Sequence, residues 1–294
     1  MELQSRIDEL RTKGLGLAVI SYDSREVHQA FSRQHGIVFP LLSDQGSGTI
    51  KQYGILNTVV EEALGPNRDD PAVKADAWKY ISVSGTVPTR MKGIAFPGTF
   101  VLDRQGRVTS RFFEDFYIER NTVAGILKRL GTGNAAVSGT SVSTQHLDVA
   151  TYPSDAAVAP GNRFTLVLEI APKRGGHVYA PGASTYHVIS LSVTEQPFVR
   201  VLPLKYPASE LYHFKPLNER VAVYQKPFTL VQEIILEGHP SAQAAFKGRD
   251  SLTLNGTLDY QACDDNLCFN PASVPLSWTV TLRPLVVQRP TVAR

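Results

Sequence analysis

The feature that most restricts the fold is a change of hydrophobic grammar across residues 131–143, GTGNAAVSGTSVS, a small, polar run with the composition of a flexible linker. Before it, the chain reads as alternating helix and strand. Leu3, Ile7 and Leu10 recur at helical spacing, Gly14 can end that helix, and residues 15–22 (LGLAVISY) form an apolar strand. Asp23 and Ser24 then cap a second helix running to about Gln34. After the linker the period becomes two. Phe164, Leu166, Leu168 and Ile170 face one side of residues 163–171, and short strands are expected near His187, Val199, Val221, Phe228, Leu252 and Val274, seven in all and without a helix. A chain of 294 residues has room for two such cores. The predicted architecture is therefore α/β plus all-β: an α/β domain over residues 1–130, the linker 131–143, an antiparallel sandwich of immunoglobulin-like type over 144–285 and a tail over 286–294.

Within the first domain, residues 49–53 read as a short helix and the polar residues 61–91 as an insertion of loop and short helix. Order resumes in a β-hairpin over residues 93–113, whose strands are split by the turn Asp103-Arg104-Gln105-Gly106. A closing helix over residues 119–130 places Val123, Ile126, Leu127 and Leu130 on one face. Neither half repeats the other.

Several function classes drop out early. A net charge of +3, from 30 Lys+Arg against 27 Asp+Glu, leaves no surplus to neutralise phosphates, so no nucleic-acid partner is expected. No window supplies the roughly 20 apolar residues of a membrane span, and the first residues do not read as a signal peptide. His28, His35, His146, His177, His187, His213 and His239 show no metal-ligand spacing, so neither metal nor cofactor is implied. Ser47, Ser82 and Ser84 sit in no nucleophile elbow, and Gly46-Ser47-Gly48 is too short for a phosphate loop. Trp78 and Trp278 read as core or interface aromatics, and Asn255-Gly256-Thr257 as an incidental glycosylation match inside a strand.

What remains is a pair of cysteines, Cys263 and Cys268, in a chain with no others. Random placement would bring two so close in only about one case in thirty. The run Cys263-Asp264-Asp265-Asn266-Leu267-Cys268 falls on a turn between two strands, where Asp and Asn tolerate tight geometry and the Cα atoms can enter the range a disulfide requires. Three readings stay open. A structural staple closing so short a loop would contribute roughly 2 kcal/mol, less than a bridge between distant strands. A reversible dithiol/disulfide couple gains from short spacing, because the second sulfur resolves the mixed disulfide. Inert thiols are the third. Asp264 and Asp265 count against fast attack, since negative charge raises a thiol pKa.

Separated pieces of the second half resemble the N-terminal alpha domain of the DsbD family of thiol-disulfide interchange proteins. They are GHVYAPG at 176–182, residues 200–207, ERVAVY at 219–224, and YQACDD at 260–265 with Cys268, Pro271 and the VPL of 274–276. The resemblance covers about residues 143–282 and implies an immunoglobulin-like domain that exchanges electrons with a thioredoxin-like or DsbD-like partner. It also implies that Cys263 and Cys268 are the redox pair, with Tyr179, His177 and Tyr260 near them, and that Glu210-Leu211-Tyr212 corresponds to a loop shielding the sulfurs. An imidazolium at His177 would lower a thiol pKa. Four residues separate the cysteines here, one fewer than in the best-known members, which leaves turn geometry and redox poise open.

The first half, over about residues 2–130, resembles the thioredoxin-like peroxiredoxin and thiol-specific antioxidant (AhpC/TSA) family, most clearly in GIAFPGTFVLD at 93–103 with the GRV of 106–108. Pro97 matches the proline that such folds hold in the cis form beside the active site. The departure from the family decides the mechanism: residues 1–130 contain no cysteine, and the strand and loop that carry the reactive one are absent. Peroxide reduction is not expected of this chain. Two readings account for the gap, a sequence lacking its upstream part, favoured by the consistent pattern that remains, or a degenerate domain kept for binding. By the resemblance the strand at 15–22 loses its central neighbour, so another segment fills the slot or the flanking strands pair directly. An oxidising, extracytoplasmic compartment follows from the DsbD-like half. The resulting expectation is a thiol-disulfide oxidoreductase. The alternatives are a non-catalytic interaction module with a structural bridge, or part of a peroxidase whose reactive cysteine lies upstream of Met1.

Overall fold

The computed structural model describes residues 2–87, 89–114, 116–131, 139–214 and 218–285. It divides into two compact units, Met1–Ile126 with residues 238–245, and Leu127–Glu237 with residues 246–284.

In the α/β unit the first helical segment breaks at Arg6 into Glu2–Ser5 and Ile7–Thr12, and Gly14, at φ +73°, ends it as expected. Ser24 caps the helix Arg25–His35 by accepting from Val27 N, and Gly36 closes it in the left-handed region. The strand read over 15–22 shortens to Val19–Ser21, which pairs in parallel with Leu41–Ser43. Ile7, Ile37 and Phe39 pack with Leu17, Val19 and Phe31 beneath this pair. Residues 61–91 correct the sequence reading, because they contain a 14-residue helix, Pro71–Ser84. Its punctuation was present: Asp70 accepts from Ala72 N, Pro71 sits in the first turn and Gly85 follows the end. Its apolar residues form no single stripe, so Tyr80 is buried while Trp78 is 66% exposed, which excludes a core role for Trp78. Tyr80 meets Phe116 and Tyr117, and its hydroxyl accepts from Asn57 Nδ2 at 2.6 Å.

The hairpin forms as read, Gly98–Leu102 against Val108–Phe113, with Asp103 Oδ1 accepting from Gln105 N and Arg107 N. The closing helix is only Val123–Arg129, because Arg120–Asn121 is extended. Two expectations fail here. The peptide before Pro97 is trans, as are all the described peptides. Neither does the hairpin pair with Val19–Ser21, nor does another described strand fill the slot. One face of the parallel pair is open to solvent, with Ile20 41% and Leu42 46% exposed.

The second unit is mostly antiparallel. One sheet runs in the order Val199–Val201, Phe228–Leu236, Asn162–Pro172, Leu147–Pro153, Thr140–Ser143; a second runs Ser190–Val193, Ser251–Tyr260, Ala272–Leu282, Ala157–Val158. Phe164, Leu166, Leu168 and Ile170 are buried as the alternation requires, and Trp278 is a core aromatic whose Nε1 donates to Thr151 Oγ1 at 2.7 Å. The count of seven strands was too low. Short strands such as His177–Tyr179 carry no alternation, being buried on both faces; a helix was also missed after residue 144, Pro240–Phe246, nearly all of which groups with the first unit. Part of the expected linker, Thr140–Ser143, is a strand; residues 132–138 of that linker and the 286–294 tail lie outside the described residues.

Candidate functional site

The cysteines lie on a third sheet of the second unit, in the order Glu210–Phe214, Glu219–Tyr224, His177–Tyr179, Ala262–Cys263. Asp264 N donates to Leu267 O and Phe269 N to Ala262 O, so Cys263 and Cys268 face each other across a non-hydrogen-bonded antiparallel pair. Such pairs bring Cα atoms closest, which accounts for a Cα separation of 4.1 Å, slightly tighter than the sequence reading allowed. The two sulfurs are bonded in a disulfide.

The two ends of this bond differ. Cys263 is 1% exposed and packs with Tyr179, Ala183, Val221 and Val223, whereas Cys268 is exposed at the end of the turn. The Tyr179 hydroxyl lies 2.9 Å from Cys263 Sγ and 3.4 Å from Cys268 Sγ. Burial holds that hydroxyl well above the ordinary tyrosine range. Its ring stacks on Tyr186 at 4.0 Å, and the Tyr186 hydroxyl donates to Glu219 Oε2 at 2.7 Å.

The two aspartates have structural duties. Asp264 Oδ1 accepts from Asn266 N and Leu267 N at 2.8 and 2.7 Å, which tightens the turn and lowers the Asp264 pKa. Asp265 Oδ1 accepts from the Tyr212 hydroxyl at 2.5 Å, which pushes the tyrosine up to about 12 and ties the strand Glu210–Phe214 to the turn. His177 pairs in register with Cys263 and its ring lies 4.6 Å from that of Tyr212. Burial lowers its pKa against the pull of Asp265 and Asp264, which counts against an imidazolium there. Tyr260, buried three residues before Cys263, has its hydroxyl 3.0 Å from Thr144 Oγ1. Pro97 belongs to the other unit, before the strand Gly98–Leu102.

Tyr186 and Glu219 were not singled out by sequence reasoning. Glu219 stood within a quoted run, but the approach of Tyr186 depends on the bridge between Tyr179 and Val188, which leaves no local signal. Among the described residues no group of three or more metal-ligating side chains converges, and no helix is long and apolar enough to cross a membrane.

Two family models match separate segments of the chain. Residues 1–111 match the AhpC/TSA family, and residues 148–275 match the family described as thiol:disulfide interchange protein DsbD, N-terminal. No curated protein matches. Among solved structures, the N-terminal periplasmic domain of ScsB from Proteus mirabilis is similar at 16% identity and a TM-score of 0.35, over 49% of this chain and 51% of that one, so the chain spans about half of it. The SrpA adhesin from Streptococcus sanguinis is similar at 17% identity and a TM-score of 0.23, over 51% of this chain and 61% of that one. The chain thus carries a segment similar to the AhpC/TSA family followed by a segment similar to the DsbD N-terminal family.

Proposed function

We propose that this protein is a thiol-disulfide oxidoreductase that passes electron pairs through Cys263 and Cys268 to or from a partner protein of thioredoxin-like or DsbD-like kind. The observation that carries the reading is the asymmetry of the bond, with one sulfur exposed on a rigid turn and the other buried beside a hydroxyl. A partner thiolate attacks Cys268 Sγ, forms a mixed disulfide and releases Cys263 as thiolate. The partner's second thiolate then attacks its own sulfur in the mixed bond and releases Cys268, so the partner is oxidised and this pair reduced by two electrons. The reverse sequence donates electrons, and the partner's potential sets the direction. Leu267, exposed beside Cys268, gives a protein partner an apolar contact at the point of attack. An oxidising, extracytoplasmic compartment suits such a pair. The α/β unit, which has no cysteine, serves in this reading as a binding surface.

The test is the reduction potential of the pair, read by trapping free thiols after equilibration in glutathione or dithiothreitol buffers. A value between roughly −120 and −270 mV is expected, as for exchange proteins. One below about −300 mV would mark a structural bridge and favour the interaction module.

A further inference from the structure

Cys263 must gain and lose a proton if the pair cycles, yet it is sealed in an apolar cluster at 1% exposure. One polar line leaves this pocket. Cys263 Sγ touches Tyr179 Oη at 2.9 Å, the Tyr179 ring stacks nearly parallel on that of Tyr186 at 4.0 Å with their hydroxyls close enough to interact, and Tyr186 Oη donates at 2.7 Å to Glu219, which also accepts from Thr185 Oγ1 at 3.4 Å. Tyr186 and Glu219 are only half-buried, so the line ends at the surface. With Glu219 as the terminal acceptor, Tyr186 donates outward and Tyr179 donates to Tyr186, which leaves a Tyr179 lone pair facing the sulfur.

We propose that Tyr179, Tyr186 and Glu219 form a proton wire between the buried Cys263 sulfur and the surface. The proposal rests on the redox reading above. When the reduced pair donates electrons, the Cys268 thiolate attacks one sulfur of the partner's disulfide and expels the other as thiolate. Cys263 must then attack Cys268 Sγ, closing the internal disulfide and expelling the partner's remaining sulfur; the pair is oxidised and the partner reduced by two electrons. Before that attack the Cys263 proton passes to Tyr179 Oη, the Tyr179 proton to Tyr186 Oη and the Tyr186 proton to the Glu219 carboxylate, which releases it to water. In the opposite direction the same hops, reversed, protonate the departing Cys263 thiolate. Both hydroxyls are held above the ordinary tyrosine range, Tyr179 first by burial and Tyr186 first by its bond to Glu219, so they relay protons without resting as phenolates. Tyr179 touches the reacting atoms; Tyr186 and Glu219 act through it.

The experiment mixes the reduced full chain with 5,5′-dithiobis(2-nitrobenzoic acid) and follows release of the yellow thiolate. The first phase reports Cys268 and the second reports Cys263 closing the disulfide. Tyr186→Phe, which keeps the stacked ring, and Glu219→Gln, which keeps an acceptor oxygen but loses the base, should each slow the second phase by about tenfold or more while sparing the first. In both variants the second phase should also rise in proportion to hydroxide, because the proton then leaves directly. His177, Asp264, Asp265 and Tyr212, the other titratable groups around Cys263, remain in place, and a merely structural role would not alter the pH profile. Near-ultraviolet circular dichroism identifies a variant that misfolds, and the other then decides. A second phase within about twofold of the native chain, with an unchanged pH profile, overturns the wire. Absence of a second phase in the native chain overturns the redox reading itself.

Discussion

The two units treat their strand edges in opposite ways. In the α/β unit Val19–Ser21 has one described neighbour, Leu41–Ser43, and leaves Ile20 and Leu42 in solvent. In the β-rich unit His177–Tyr179 is held from both sides, by Glu219–Tyr224 and by Ala262–Cys263. A sulfur chemistry that depends on a hydroxyl within 2.9 Å needs a backbone fixed on both edges, and the cysteines stand where that condition is met. The cysteine-free unit has a parallel pair with two exposed apolar side chains, Ile20 and Leu42.

The strongest way to break this comparison is to remove one sulfur at a time. Cys263→Ser should leave an exposed thiol at Cys268 that forms a stable mixed disulfide with 2-nitro-5-thiobenzoate, and Cys268→Ser should react about a hundredfold more slowly because its remaining thiol is buried. Both variants should lose catalysed exchange with a dithiol. Equal reactivity of the two single cysteines, read by absorbance and non-reducing electrophoresis, would remove the asymmetry on which the proposed mechanism stands.

A second test separates the units by stability. Glu233 is buried among Arg129, Arg163 and Lys205; burial pushes its carboxyl up, but the cations, led by the Arg163 hydrogen bond, outweigh this and keep it ionised. Glu233→Ala removes the carboxylate shared by two largely buried guanidinium groups and should cost about 3–5 kcal/mol. In a Trp78→Phe background, Trp278 reports unfolding of the β-rich unit alone, and the far-ultraviolet helical signal reports the other. The Trp278 transition should move while the helical one stays. If both shift together, the units are not energetically separate.

Gly256→Ala is a milder challenge to the same unit. A Cβ there would lie 2.6 Å from Ser192 O and 3.1 Å from the Trp278 ring, and relieving the clash should cost about 1–3 kcal/mol in chemical denaturation. A wild-type midpoint would mean that the sheet can open there at no cost.

Legibility in the sequence followed the same divide. The long strand Asn162–Pro172 was readable because Phe164, Leu166, Leu168 and Ile170 recur at every second residue, and the cysteine turn because its residues are adjacent. The helix Pro71–Ser84 was obscured, although Asp70, Pro71 and Gly85 marked its ends, because its apolar residues surround the axis. Tyr186 was invisible for a different reason. It reaches Tyr179 through tertiary pairing, and no periodicity encodes that. His177 pairs in register with Cys263, but its pKa depends on burial, a property of the folded neighbourhood.

The smallest expected effect compares the carboxylates that tie a turn in each unit. Asp44 accepts from Thr49 N and Ile50 N at the start of the helix Gly48–Gln52, and Asp264 accepts from Asn266 N and Leu267 N in the disulfide turn. Backbone donors lower both pKa values beneath the ordinary 3.8, so each carboxylate contributes stability that is present above that value and lost as pH falls through the lower folded one. Asp264→Asn keeps an acceptor oxygen but cannot titrate, and should flatten the acid dependence of the disulfide turn. Asp44→Asn should do the same for the α/β unit alone. Amide hydrogen exchange at Asn266 and Leu267, followed from pH 5 downward, reads the first effect. Loss of protection in Asp264→Asn that still tracks acid as in the native chain would show that another group governs the turn.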